Sequence, residues 1–404
     1  MAGVNVLDIV LLVAAVWFAI IGYRQGFVVG VLSVIGFLGG GLVAVYLLPV
    51  IWGWFDEGSS LGDSTTGILV AVVIVIVCAS VGQAFTTHLG NKLRRHITWS
   101  PARALDATGG ALVNVVAMLL VAWLIGSALA GSSLPTLGKE VRGSKVLLGV
   151  DRVVPGQAAS WFDDFSSVLA QNGFPQVFSP FSNEPITEVL PPDPKLAGSP
   201  VAARAKQSIV KVVGTAPSCG KVLEGTGFVF SERRVMTNAH VVGGVSEPTV
   251  QIGGEGKLYD AKVVLYDWQR DIAVLDVPEL QAKPLEFIGK DARSGDGAIV
   301  AGFPENGSYD VRSARVRGRI NAKGPDIYHR DTVRRDVYSL YATVRQGNSG
   351  GPLLTPEGKV YGVVFAKSLD DPETGYALTA DEIKDDIRQG RTANQQVDSQ
   401  GCAL

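Results

Sequence analysis

Three short segments of the 404-residue chain carry residue types that together can perform acyl transfer. GTGFVFSERRVMTNAHVV places His240 after a strand-like run, in a turn of small and polar residues. DWQRDIAVLDV supplies Asp267, Asp271 and Asp276 around an apolar run, and RQGNSGGPLL sets Ser349 among glycines. A serine hydroxyl is a weak nucleophile until a neighbouring base takes its proton. Histidine suits that task because its imidazole exchanges protons near neutrality, and a buried carboxylate fixes its tautomer and stabilises the imidazolium. The only other histidine in this half, His329 in YHRD, has no comparable setting. The glycines flanking Ser349 permit a tight turn that aims amide N–H groups at a developing oxyanion.

The elements that must position these residues are short. From about residue 205 the chain reads SIVKVVG, GTGFVF, AKVVLYD, DIAVLDV, GAIVAGFP, ARVRGRI, YSLYATV and KVYGVVFA. Runs rich in Val, Ile, Tyr and Phe, separated by turns, predict an all-β barrel or sandwich. No helical pattern intervenes to build a parallel sheet, and DEIKDDIRQG alone reads as a helix.

The first 130 residues differ in kind. They hold five Lys/Arg and five Asp/Glu, and windows free of these charges run Ile9–Tyr23, Gln25–Phe55, Ser64–Asn91 and Ala107–Gly138. Crossing a bilayer takes about 20 apolar residues, so four transmembrane helices are expected. A cleaved signal peptide fits poorly, because no basic stretch precedes Ile9 and three further spans follow. Basic residues are retained on the cytoplasmic side. The connection NKLRRHITWSPAR is strongly basic, YRQG carries Arg24, and FDEGSSLGDS has only acids. These loops place the N-terminus and everything after Ala130 outside the cytoplasm, at the cell membrane. Residues 131–200 form a connector: SKVLLGVDRVV and SWFDDFSSVLAQNGF read as short amphipathic helices. SNEPITEVLPPDPKLAGSPVAARA reads as an extended linker open to cleavage, by this chain or another.

Motif order adds a resemblance. TNAHVV, DIAVL and GNSGGPL, in the order His, Asp, Ser, resemble the chymotrypsin superfamily and its HtrA-like branch over roughly residues 205–390. The resemblance implies two six-stranded antiparallel barrels with the site between them. It selects Asp271 over Asp267 and Asp276, because Asp271 directly precedes IAVL. It also implies an oxyanion hole from the Gly347 and Ser349 amides. Two departures stand out. Thr343 occupies the position, six residues before Ser349, where an Asp would select Lys or Arg. The chain also stops soon after this region, where HtrA proteins continue into a PDZ domain. Ala366, after VYGVVF, is expected to help line the substrate pocket. RQGFVVGVLSVIG resembles the colicin V production (CvpA) family of four-helix membrane domains.

The pairing of both parts resembles the mycobacterial acid-resistance periplasmic serine proteases, which implies processing of cell-envelope proteins and a part in acid tolerance. The expected architecture is therefore a helical membrane domain over 1–130, a connector over 131–200, and a chymotrypsin-like double β-barrel over 201–404. Cys219 and Cys402 lie near the two ends of the last region. An oxidising compartment favours a disulfide between them, which also fits the resemblance; two separate thiols are the other reading. A net charge of −2 gives no basic face for nucleic acid. No metal-ligand spacing or phosphate loop occurs, so neither metal nor cofactor is expected. The partners expected are extracytoplasmic protein substrates and the lipid bilayer. The competing reading is a membrane scaffold or transport-linked protein whose protease-like domain is not proteolytic and only senses peptides.

Overall fold

The computed structural model describes residues 5–55, 65–130, 135–154, 174–179, 182 and 184–403. Nearly all of the acidic connection FDEGSSLGDS, from Asp56 on, and most of SWFDDFSSVLAQNGF lie outside these residues. The chain divides into two compact units, residues 1–126 with 144–151, and residues 127–143 with 152–404.

The first unit contains α1 (Val6–Gln25), α2 (Phe27–Phe55), α3 (Thr65–Arg94) and most of α4 (Ser100–Ala130). Among the described residues, these four helices are long and apolar enough to cross a membrane. Glycines set their separations. A Cβ on Gly36 would lie 2.4 Å from the Gly82 carbonyl oxygen, and one on Gly22 would lie 2.3 Å from that of Gly110. Such contacts let α2 meet α3, and α1 meet α4, backbone to backbone. The few charges close the helix ends. Asp106 accepts the Val28 N–H at 3.0 Å and Arg94 Nε at 2.7 Å, and Arg94 also donates to the Arg24 carbonyl. The loops bearing Arg24 and Arg94 therefore lie at one end of the bundle. At the N-terminus of α6 (Lys145–Asp151), Asp8 accepts from the Ser144 hydroxyl and from the N–H groups of Lys145 and Val146.

The second unit takes in α5 (Pro135–Arg142) and, after α7 (Pro200–Ala205), two antiparallel β layers. The first sheet holds β1 (Ile209–Ala216), β2 (Lys221–Ser231), β3 (Arg234–Thr237), β4 (Thr249–Ile252), β5 (Leu258–Asp260), β6 (Lys262–Asp267) and β7 (Ile272–Asp276). Their order is β5-β4-β1-β2-β3-β7-β6. Seven strands stand where six were expected, because β4 folds back into the three-residue β5. β8 (Gly297–Gly302), β9 (Asp310–Pro325), β10 (Thr332–Tyr341), β11 (Pro352–Leu354), β12 (Val360–Lys367) and β13 (Thr374–Thr379) close the second barrel in the order β10-β13-β12-β11-β8-β9.

Strand alternation divides the apolar residues into three cores. Val210, Val212, Val229, Val263 and Leu275 fill the first sheet, and Val300, Val316, Leu340, Val364 and Ala377 fill the barrel. The outward faces, with Ile209, Phe228 and Met236 on one side and Val337, Phe365 and Leu378 on the other, meet in a shared seam. The short α8 (Ala239–Val242) and, near the end, α9 (Lys384–Gly390) pack against strands of the first sheet. Cys219 and Cys402 form a disulfide, Cα to Cα 6.3 Å. It pins a tail whose Ala403 packs with Ala239 and Ile327.

The described part of the linker SNEPITEVLPPDPKLAGSPVAARA is extended as expected as far as Asp193, where helical turns at Pro194–Leu196 and α7 replace the extended chain, and it is not free. Ser179 N–H donates to Lys323 O (3.0 Å), Arg317 to Thr187 O (2.9 Å), Arg315 to Pro191 O (3.1 Å), and Ala197 N–H to Ser313 Oγ (3.1 Å). Connector numbers rise as β9 numbers fall, so the segment lies against β9 in the opposite direction. Its side chains anchor it further: Phe178 packs edge-on against Tyr376, and the Glu184 carboxylate accepts from Ser368 Oγ, Leu369 N–H (3.1 Å) and Tyr376 OH (2.8 Å). Burial pushes the Glu184 carboxyl up, and these three donors pull it back. Truncation as Glu184→Ala leaves buried donors unpaired, and is expected to destabilise the second unit by about 1–3 kcal/mol. Glu184→Gln, which keeps an acceptor, should lose less. Thermal unfolding of the intact chain in detergent checks both.

Candidate active site

The seam between the two sheets collects the residues singled out by chemistry. β3 ends at Thr237, and the following turn enters α8 with Asn238 at its N-cap. Asn238 Nδ2 donates to the Asp271 carbonyl at 2.7 Å. The Asp271 carboxylate then faces His240 twice, accepting its backbone N–H on Oδ1 at 3.0 Å and lying 2.7 Å from Nδ1 with Oδ2. Asp271 is fully buried and His240 is 7% exposed. A charge-assisted contact out of water fixes the ring orientation and leaves Nε2 for proton transfer.

Asp267 and Asp276 do other work. Asp267 Oδ1 caps its own turn by accepting Gln269 and Arg270 N–H at 3.0 and 2.8 Å. Asp276 pairs with Arg234 at the far end of β3. His329 sits in a turn with φ +54°. Burial lowers its pKa, Asp326 opposing and Arg335 reinforcing that effect.

Ser349 comes from the turn before β11 and is 3% exposed. Its hydroxyl donates to the Phe365 carbonyl at 3.5 Å, and among the described residues no hydrogen bond joins it to His240. Such links are often long before substrate binds. Neither the Gly347 nor the Ser349 N–H has a partner among the described residues. Gly347 has φ +92°, and a Cβ there would lie 2.3 Å from Phe303 O, so the turn requires glycine. The carbonyl of Gln346 accepts Glu305 N–H at 2.7 Å. That bond turns the Gln346–Gly347 peptide so that the Gly347 N–H points the other way.

One residue in this arrangement went unread in the sequence. Thr226, fully buried on β2, donates Oγ1 to Gly347 O at 2.6 Å and accepts Phe303 N–H at 3.0 Å. Its backbone N–H holds Ser349 O at 2.8 Å, and its carbonyl accepts Thr237 Oγ1 at 2.7 Å. A strand of the first sheet thus stitches the serine turn of the second. The signal was a threonine between two glycines, in GTGFVF. Thr343 is exposed, whereas Ala366 is fully buried, paired with Tyr376, and offers no accessible surface.

A buried Asp–His pair, a serine in a glycine turn and two free amides between two antiparallel β layers define a trypsin-like serine protease. Residues 225–363 match the trypsin-like peptidase domain, and residues 7–155 match the colicin V production protein. The serine protease Rv3671c of Mycobacterium tuberculosis is 40% identical over 379 residues, which span 93% of this chain and 94% of that one. The crystal structure of the Rv3671c protease in its active form has a TM-score of 0.53 and 46% identity, covering 57% of this chain and 100% of that one. A probable periplasmic DegP-like serine endoprotease of Chlamydia muridarum is 34% identical over 156 residues, 36% of this chain and 29% of its own length. The chain belongs to the Rv3671c family of serine proteases, and in it a colicin V production-like helical block precedes a trypsin-like domain.

Behind the Asp271 turn lies Asp386 on α9, 5% exposed. Burial pushes its carboxyl up to about 7, with Asp267 adding to the rise and Arg270 opposing it. The folded state keeps this proton where the unfolded chain, near 3.8, has released it. The stabilising contribution is complete below the unfolded value, declines as pH rises, and is gone above about 7. The thermal midpoint of the second unit is expected to fall between about pH 4 and pH 7, the window set by the unfolded and folded values, and Asp386→Asn should flatten that fall. An unaltered slope in the variant contradicts the assignment.

Proposed function

We propose that this chain is a membrane-anchored, extracytoplasmic serine endopeptidase that cleaves cell-envelope proteins through an acyl-enzyme. The observation that carries the proposal is the buried His240–Asp271 pair, with two contacts of 2.7 and 3.0 Å, set beside a serine turn that presents unpartnered amides.

His240 Nε2 takes the Ser349 proton as Oγ bonds to the scissile carbonyl carbon. The negative oxygen then enters the space faced by the Gly347 and Ser349 N–H groups. Each such donor contributes about 2.7–4 kcal/mol of transition-state stabilisation. Asp271 stabilises the imidazolium and keeps Nδ1 protonated throughout. The imidazolium next gives its proton to the departing amine, breaking the C–N bond. Water, deprotonated by the same ring, then releases the acyl group from Ser349. Thr343 brings no carboxylate to the substrate pocket, so the enzyme does not select Lys or Arg by that device.

The orientation rests on charge. Arg24 and the NKLRRHITWSPAR loop share one end of the helical block, and basic ends stay cytoplasmic. The second unit then faces the periplasm, where its disulfide is stable. Cleavage of envelope proteins there serves acid and stress tolerance, and the connector beyond its docked stretch is a site of self-cleavage.

The test is a serine-reactive phosphonate probe and a peptide ester applied to the intact chain, with Ser349→Ala expressed in parallel in cells. Labelling at Ser349, loss of hydrolysis by about 10⁴-fold or more in the variant, and loss of connector fragments are expected. Hydrolysis retained in Ser349→Ala overturns the mechanism, identical fragments overturn self-cleavage, and a cytoplasmic reporter signal at the C-terminus overturns the topology.

A further inference from the structure

Asp271 has φ +66°, a backbone conformation that residues with a side chain seldom adopt and that persists only where the surroundings impose it. One side of its turn is imposed by Asp267, as described. The other side is held from the opposite sheet. Arg335, on β10 and 2% exposed, donates Nε to the Gln269 carbonyl at 2.8 Å and Nη1 to the Pro325 carbonyl at 3.0 Å. Its Nη2 has no hydrogen-bond partner among the described residues.

A guanidinium in such a place is costly, and an apolar side chain of similar volume often serves packing equally well. Burial lowers the proton affinity of Arg335. The carboxylates facing it raise it again, Asp271 most strongly, then Asp326, Glu382 and Asp267. The groups around Arg335 come from three elements: Asp267 and Asp271 from the β6–β7 turn, Asp326 and His329 from the β9–β10 turn, and Glu382 before α9. A second tether joins the same partners. Arg270 Nε lies 3.3 Å from Glu382, whose carboxylate accepts Asp336 N–H at 2.9 Å beside Arg335.

We propose that Arg335 is a positioning residue for Asp271. It locks the Gln269 carbonyl, and hence the turn, from the opposite sheet, and its charge sets how strongly the Asp271 carboxylate favours a protonated His240. The proposal rests on reading Asp271 as the carboxylate that orients the catalytic base. Two consequences separate this role from a merely structural one. Loss of the fork loosens the turn and lowers the rate. Loss of the charge removes the cation that offsets the Asp271 carboxylate, so in the variant His240 holds its proton to higher pH.

The experiment measures kcat/KM against pH for the intact chain in detergent, using a peptide ester, in wild type, Arg335→Lys and Arg335→Gln, with Ser349→Ala as reference. In Arg335→Gln the acid limb should move up by roughly 1 pH unit, and the plateau should fall on the order of 10- to 100-fold. In Arg335→Lys the acid limb should stay with wild type while the plateau falls. The same shift in a His329→Asn background assigns it to His240, and a shift lost there overturns the proposal. Folded variants whose acid limbs coincide with wild type, or move equally in Lys and Gln, also overturn it. Should Arg335→Gln fail to fold, Arg335→Lys decides alone: a displaced limb or an undiminished plateau refutes the role. Activity retained by Ser349→Ala would instead strike at the catalytic reading itself.

Discussion

An imidazole and a carboxylate lie 2.7 Å apart, both withdrawn from water, and the rest of the second unit is arranged to keep them so. A buried carboxylate is costly unless its lone pairs are occupied. Asp271 meets that condition with the ring and backbone of His240, while Asn238 holds its carbonyl. The pair also depends on a backbone that its own sequence does not favour. Neighbours from both sheets therefore have to supply what local propensity withholds.

Those neighbours explain why two β layers are needed. The seam buries the outward faces of both sheets, and polar stitches cross it beside the His240–Asp271 pair and the serine turn. Thr226 reaches the Gly347 and Ser349 carbonyls, and Glu305 turns the peptide ahead of Gly347. The connector and the tail brace the same unit from outside. Glu184 ties the connector to the loop after β12, the strand whose Phe365 carbonyl faces the serine hydroxyl. The Cys219–Cys402 bridge holds the tail against Ala239, next to His240. It spans 183 residues, for which chain entropy sets an upper contribution of about 5 kcal/mol.

The serine, histidine and aspartate segments were legible because each couples a reactive residue type to a local strand-and-turn pattern. Choosing Asp271 from three aspartates took a resemblance, since Asp267 and Asp276 flank the same run and differ only in partners distant along the chain. Thr226, Glu184 and Arg335 escaped notice for a similar reason: the partners that matter here, Gly347, Tyr376 and Gln269, lie 66 to 192 residues away, and composition carries no trace of them. The linker read as extended because X-Pro pairs disfavour helix, yet Pro194 and Pro200 open helical turns at their first position, and its docking depends on β9 arginines that look like ordinary surface charge. In the helical block, the charge-free windows located all four helices. They missed the start of α4 at Ser100, because Arg103 and Asp106 looked like loop residues. Asp106 is tolerated there through its bonds to Arg94 and to the start of α2.

The central claim is that Asp271 gives Ser349 its reactivity through His240, and phosphonate labelling of Asp271→Asn in the intact chain tests it most directly. The account expects a labelling rate reduced by roughly 10³- to 10⁴-fold, with the thermal unfolding profile retained. A folded variant that labels within about tenfold of wild type would contradict it.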